Sequence, residues 1–155
     1  MMAHGSREKR IAALTDRQTG AGAVAAGTLV LILSFSGLLS VASIPVAILV
    51  SEVLAKMAMS FIITIGRPFK EGMHAYVHGF VKPWFPAASL LFCLPLFILP
   101  VSPSAIAVAF IAALATALLM YVNAHRLFGG VNGDVVGATN EVTRAVVIIV
   151  LSFVL

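Results

Sequence analysis

Apolar and polar positions fall into long blocks along the chain. Residues 18–51 carry no charged side chain, and neither do residues 84–122. Either block is too long for one bilayer crossing, which takes about 20 apolar residues. The first holds the breakers Gly37 and Pro45 within SFSGLLSVASIP, and the second is divided by PVSP at 100–103. Between them lies a polar loop, GRPFKEGMHAYVHGFVKP, at 66–83, and a glycine-rich break follows residue 128. The pattern predicts five spans, at about 20–37, 43–65, 85–99, 104–124 and 134–155, in one membrane domain. The expected fold is all-α: a polytopic transmembrane helical bundle. Residues 1–17 are polar and predict a short amphipathic helix ahead of the first span.

Composition agrees with a membrane protein. Of the 155 residues 61% are hydrophobic and 10% charged, with mean hydropathy +1.08. A soluble domain carries about 25% charged residues. The net charge of +4 does not point to nucleic acid, because basic residues in the loops of a membrane protein set its topology. Four lie in the N-terminal tail, three in the 66–83 loop, and Arg126 follows the fourth span. With five spans these segments share one face, so the N-terminus and this face are expected to be cytoplasmic, in a cytoplasmic (plasma) membrane. Cys93 is the only cysteine and lies inside an apolar run, so no internal disulfide forms. The polar start does not resemble a cleavable signal peptide.

Ionisable groups inside spans are the first candidates for chemistry, since each costs about 2.5–3.5 kcal/mol on insertion scales. Glu52 and Lys56 stand four apart and share one helix face. They form either a neutralised structural pair or the wall of a polar cavity. His74 and His78 also stand four apart, but HAYVH lacks the glutamate of HExxH and a third ligand, which argues against zinc. Tyr76, Phe80 and Trp84 suit an interfacial aromatic belt instead. In the tail, Arg7, Lys9, Arg10 and Arg17 either anchor topology at anionic headgroups or grip phosphates.

The stretch GGVNGDVVGATNEVTR, 129–144, holds more polar and small residues than a turn requires. Gly129 and Gly130 can end one helix, and Asp134 suits the N-cap of the next. Gly137 and Ala138 allow close helix packing in lipid. Helical spacing puts Asp134, Gly137, Asn140, Glu141 and Arg144 on one stripe. Such a stripe at the mouth of a bundle could hold a hydrated Mg²⁺ or phosphate oxygens.

The run GGVNGDVVGATNE resembles the C-terminal signature of the cobalamin synthase family, the adenosylcobinamide-GDP ribazoletransferases, typically G-G-x-T-G-D-x-x-G-A-x-x-E. This chain keeps Gly129, Gly130, Gly133, Asp134, Gly137, Ala138 and Glu141, with Asn132 where threonine is usual. Asp16, Gly20 and Gly22 are similar to a family turn, and FKEGM at 69–73 to its E-G segment. The resemblance implies a membrane phosphotransferase of cobalamin biosynthesis. It joins adenosylcobinamide-GDP to α-ribazole or α-ribazole phosphate, releases GMP and uses Mg²⁺. It implies catalytic and metal roles for Asp134 and Glu141. Substrate contacts would come from Arg7, Lys9, Arg17, Lys56, Asn132, Gly133 and Asn140. The family's D-G-x-x-D-x-x-D-G motif is absent from these 155 residues. The resemblance therefore implies an N-terminally truncated member, inactive alone, with a homo-oligomer or a separate chain carrying that motif as partner.

Two readings compete with this one. A small transporter or channel subunit would use Glu52 and Lys56 at mid-membrane and the 129–134 break as a discontinuous helix. It should also show charges on both faces, whereas the two turns assigned to the outer face carry none. A scaffold without a site would tolerate loss of Asp134 and Glu141.

Overall fold

The computed structural model describes residues 6–16 and 20–155. Its helices are α1 (Arg7–Thr15), α2 (Ala21–Ser40), α3 (Ile44–Ile65), α4 (Met73–His78), α5 (Phe85–Leu91), α6 (Pro103–Phe128) and α7 (Gly133–Val154). A 3₁₀ helix, Leu94–Ile98, continues α5. Among the described residues there is no strand, and a single bridge pairs Pro68 with Val131. The expected all-α bundle is therefore the observed one. Four helices, α2, α3, α6 and α7, are long and apolar enough to cross a membrane.

The segment expected to span at 85–99 differs in kind. Proline at 86, 95 and 100 removes backbone donors and blocks a continuous α-helix. The chain instead makes seven residues of α-helix and five of 3₁₀ helix. That rises about 20 Å, short of the roughly 30 Å hydrocarbon core. It still runs from one end of the bundle to the other. Phe85 lies beside Thr64 near the end of α3, while Leu99 and Val101 pack on the core around Ala47 near its start.

Helix ends follow the local sequence. Pro45, Pro86 and Pro103 each sit in a first turn, where the missing N–H has no partner to lose. Gly37 does not break α2 as its type suggested. The helix continues to Ser40, and Gly37 is buried against Ile148 of α7, where a β-carbon would come within 2.7 Å of a side-chain methyl. The small residue therefore sets how closely α2 approaches α7. The break falls at 41–43, just before the proline-containing turn.

Helix α7 is the hub, packing on α2, α3 and α6. One core, around Leu54, Met57, Ile106, Val147 and Leu151, joins α3, α6 and α7. A second, around Ile62, Ala124, Val131 and Val135, closes the end where α3 and α6 finish and α7 begins. Large apolar side chains such as Leu31, Phe35, Leu39 and Leu118 point outward, the inverse of a soluble protein. Gly37→Val should push α2 off α7 and lower stability by about 1–3 kcal/mol. Steric-trapping unfolding in lipid bicelles would read that loss, and an unchanged value would contradict the packing role.

Candidate functional site

The polar residues of α7 are arranged by the way the helix starts. Asn132, not Asp134, is the N-cap: its Oδ1 accepts from the Val135 N–H at 3.1 Å. The helix begins one residue later, at Gly133, so Asp134 falls inside the first turn. There its charge suits the positive end of the helix. The Asn132 Nδ2 donates to Asp134 Oδ2 at 2.7 Å, which fixes the carboxylate's direction. Asn132 is buried, while Asp134 is exposed.

The turn that presents them is tightly built. Gly129 has φ +77°, a left-handed conformation that suits glycine, and ends α6. The Arg7 guanidinium lies over it, with Nε donating to the Phe128 carbonyl at 2.7 Å. Arg7 thus ties α1 to the C-terminus of α6 instead of standing free. At Gly130 a β-carbon would collide with the Arg67 carbonyl. That close approach lets Val131 N–H donate to the Arg67 carbonyl at 2.9 Å and joins the two loops.

A cavity of ≈ 260 Å³ opens beside this turn, lined by Lys70, Glu71, His74, Asn132, Gly133 and Asp134 among others. Its roof, the 66–83 loop, is fastened by two histidines. His74 Nε2 donates to the Gly66 carbonyl at 2.9 Å, and His78 Nδ1 to the Ile63 carbonyl at 2.8 Å, since a carbonyl only accepts. Their spacing therefore serves loop docking. Among the described residues no group of three or more His, Cys, Asp or Glu could hold a metal ion. Desolvation pushes His74 below the usual imidazole range; the Gly66 bond opposes this and the neighbouring His78 adds to it.

Two turns further into the membrane lies a second cluster. Lys56 Nζ donates to Asn140 Oδ1 at 2.8 Å and lies 3.6 Å from Glu52 Oε2. Asn140 Nδ2 donates to Glu141 Oε1 at 2.9 Å, and Arg144 to Glu141 Oε2 at 2.6 Å. Arg144 Nε stands 2.5 Å from Glu52 Oε1 without the N–H alignment of a hydrogen bond, so charge alone holds that side. The five residues close a ring between α3 and α7 with two positive and two negative charges. Asp134 stands about 10 Å up the helix from Glu141, two turns at 1.5 Å per residue.

The residues named from sequence thus form two groups. Asn132, Gly133 and Asp134 line the mouth; Lys56, Asn140 and Glu141 belong to the ring. Arg7 caps α6, Lys9 is exposed on α1, and Arg17 lies outside the described residues. Gly137 and Ala138 are exposed, and a β-carbon on Gly137 would meet nothing within 4 Å, so close packing does not explain the glycine among the described residues. Sequence reasoning missed Lys70 and His74 as neighbours of Asp134, because that contact depends on how the loop folds back. The FKEGM segment was its only visible trace.

Four long apolar helices, two of them joined by a charged mid-span ring, define an integral membrane protein with an ionisable site between α3 and α7. The chain belongs to the cobalamin-5-phosphate synthase family, whose model matches residues 1–152. It is similar to the adenosylcobinamide-GDP ribazoletransferase of Methanococcoides burtonii, 29% identical over 97% of this chain and 59% of the relative. The enzyme of the same name from Methanocella arvoryzae is 31% identical over 100% of this chain and 65% of the relative. The one from Methanosarcina mazei is 30% identical over 99% and 62%. The chain therefore spans about three-fifths of the length of these relatives. No solved structure matches it.

Removing Arg144 leaves Glu52 and Glu141 with Lys56 as the ring's only cation. Arg144→Leu should lower stability by about 2–4 kcal/mol, and adding Glu52→Gln should recover part of it. A double-mutant cycle by steric trapping checks this; strict additivity would contradict the ring. His74 gives a pH signature. Its folded pKa is lowered, so its contribution is complete above about pH 6.5, the unfolded imidazole value, and is lost as pH falls from there through the folded pKa. Protease resistance of the 66–83 loop should fall over that window. In His74→Gln, which keeps a donor but does not titrate, this component should vanish.

Proposed function

We propose that this chain forms part of a membrane phosphotransferase of cobalamin biosynthesis that joins adenosylcobinamide-GDP to α-ribazole or α-ribazole phosphate and releases GMP. The observation that carries the reading is the family match across residues 1–152. The geometry supports it: an exposed carboxylate, Asp134, is held in a fixed direction at the mouth of a polar cleft. The mouth is assigned to a cytoplasmic face of a cytoplasmic membrane, where the loop carrying Lys70 and Lys82 meets the end of α6 carrying Arg126.

Within this reading the roles divide. Lys70 and the N-terminus of α7 bind and orient phosphate oxygens at the mouth. Lys56 and Asn140 offer polar contacts deeper in. Glu141, with both oxygens engaged by Asn140 and Arg144, holds the ring's geometry, while Glu52 lines the cavity beside Lys56. The donor set suits a Mg²⁺ carried mainly by substrate phosphates and water and touched by Asp134, with Glu71 lining the same cavity. Mg²⁺ is commonly held by one or two carboxylates plus phosphates. When bound, such an ion neutralises phosphate charge.

The test is GMP release from adenosylcobinamide-GDP and α-ribazole by membranes carrying this sequence joined to the remaining length of the Methanocella arvoryzae relative. Mg²⁺-dependent release is expected, and Asp134→Asn should lower kcat at least about 100-fold. A well-folded chimera that released no GMP would contradict the proposal.

A further inference from the structure

The polar residues Glu52, Lys56, Ser60 and Thr64 follow one another every four positions along α3. Such residues form one ridge on a helix. The ridge faces Val81, Phe85, Ser89 and Phe92, which descend along the neighbouring segment. Three cavities lie between the two walls. One of ≈ 410 Å³ reaches Glu52, Lys56, Ser89 and Phe92. The next, of ≈ 300 Å³, shares Lys56 and reaches Thr64 and Phe85. The third, of ≈ 370 Å³, shares Thr64 and Val81 and opens beside Lys82. Together they make a groove about 18 Å long, from Lys82 at the mouth to the charged ring, twelve residues at 1.5 Å each.

The lining selects what can lie there. Lys56 is 60% exposed at the thirteenth residue of a 22-residue membrane helix. Facing hydrocarbon, such a charge costs about 2.5–3.5 kcal/mol. Ser60 makes no side-chain hydrogen bond among the described residues, and Thr64 donates only to the Ser60 carbonyl, at 2.7 Å. An acyl chain would leave this ridge unpartnered. A highly charged nucleotide would find two lysines, one of them already opposed by Glu52. A flat, partly apolar ring system with hydroxyls along one edge satisfies both walls: the ring lies on the apolar wall at Phe85, and the hydroxyls meet the ridge.

We propose that this groove binds the nucleoside acceptor, α-ribazole, and guides its hydroxyl edge towards the Lys56–Asn140–Glu141 ring. The assignment rests on the function proposed above and adds where that substrate enters. It makes Ser60 and Phe85 determinants of acceptor affinity, with no part in binding the nucleotide-bearing substrate at the Asp134 mouth.

Trp84 supplies a reporter. It is the only tryptophan, and its ring lies 4.7 Å from that of Phe85, centroid to centroid. The purified chain in lipid nanodiscs is titrated with α-ribazole while Trp84 emission is followed. A saturable change is expected. Ser60→Leu, which plugs the groove with an apolar side chain, should weaken binding at least tenfold, and Ser60→Thr should restore it. Phe85→Ala, which removes an apolar wall without adding bulk, should weaken it too. Helical content and monodispersity confirm that each variant is folded. Absence of a saturable change, wild-type affinity in both Ser60→Leu and Phe85→Ala, or displacement of α-ribazole by decanoate would overturn the proposal. In the chimeric enzyme, Ser60→Leu should raise the KM for α-ribazole and leave that for adenosylcobinamide-GDP unchanged. GMP release with neither KM altered would overturn the groove alone. α-Ribazole binding that obeys the variants, without any GMP release, would support the groove and remove the enzymatic reading.

Discussion

Ionised side chains halfway along membrane helices need partners close at hand, and this fold places four of them there. Glu52 and Lys56 on α3 meet Glu141 and Arg144 on α7, with Asn140 closing the circuit. Each charge alone would oppose insertion by about 2.5–3.5 kcal/mol. Together they are neutral, and they fix the register of α3 against α7. That register decides what the rest of the chain can do. It sets the level at which Asp134 leaves the bundle and the height at which the 66–83 loop must fold back to meet it.

The polar mouth then follows from small residues as much as from charged ones. Gly129 allows the left-handed turn under Arg7, and Gly130 allows the Arg67 backbone to come close. Asn132 caps α7 and holds Asp134 at once, so one side chain both starts the helix and orients its carboxylate. Two histidines, four apart but without a third metal ligand in sequence, donate to backbone carbonyls at the end of α3. They position the loop and leave the chemistry to the residues beneath it.

Much of the architecture was legible from the blocks of apolar residues, because lipid demands long uncharged helices and breaks between them stand out. Four helices long and apolar enough to cross a membrane fall within a few residues of where pattern places them. The segment at 85–99 shows the limit: hydropathy saw an apolar crossing, but its prolines turn it into a short helix and a 3₁₀ turn. Gly37 shows another, since a glycine that packs against a neighbour looks the same in sequence as one that ends a helix. The stripe from Asp134 to Arg144 was readable because it lies on one helix with a fixed period. Its link to Lys56 joins residues 84 apart in sequence, and no local pattern encodes that.

The central claim is that the α3–α7 ring opens, at Lys56, into the groove between α3 and the 81–92 segment and not onto lipid. It is tested most directly by thiol accessibility at position 56. Cys93, the only natural cysteine, is first replaced by serine, and Lys56→Cys is then made in that background. Rapid labelling by a membrane-impermeant maleimide, from the side where α7 begins, is the result this account predicts. Labelling only by a lipid-soluble maleimide, with a fluorophore at that site quenched by lipid-borne spin labels, would contradict it.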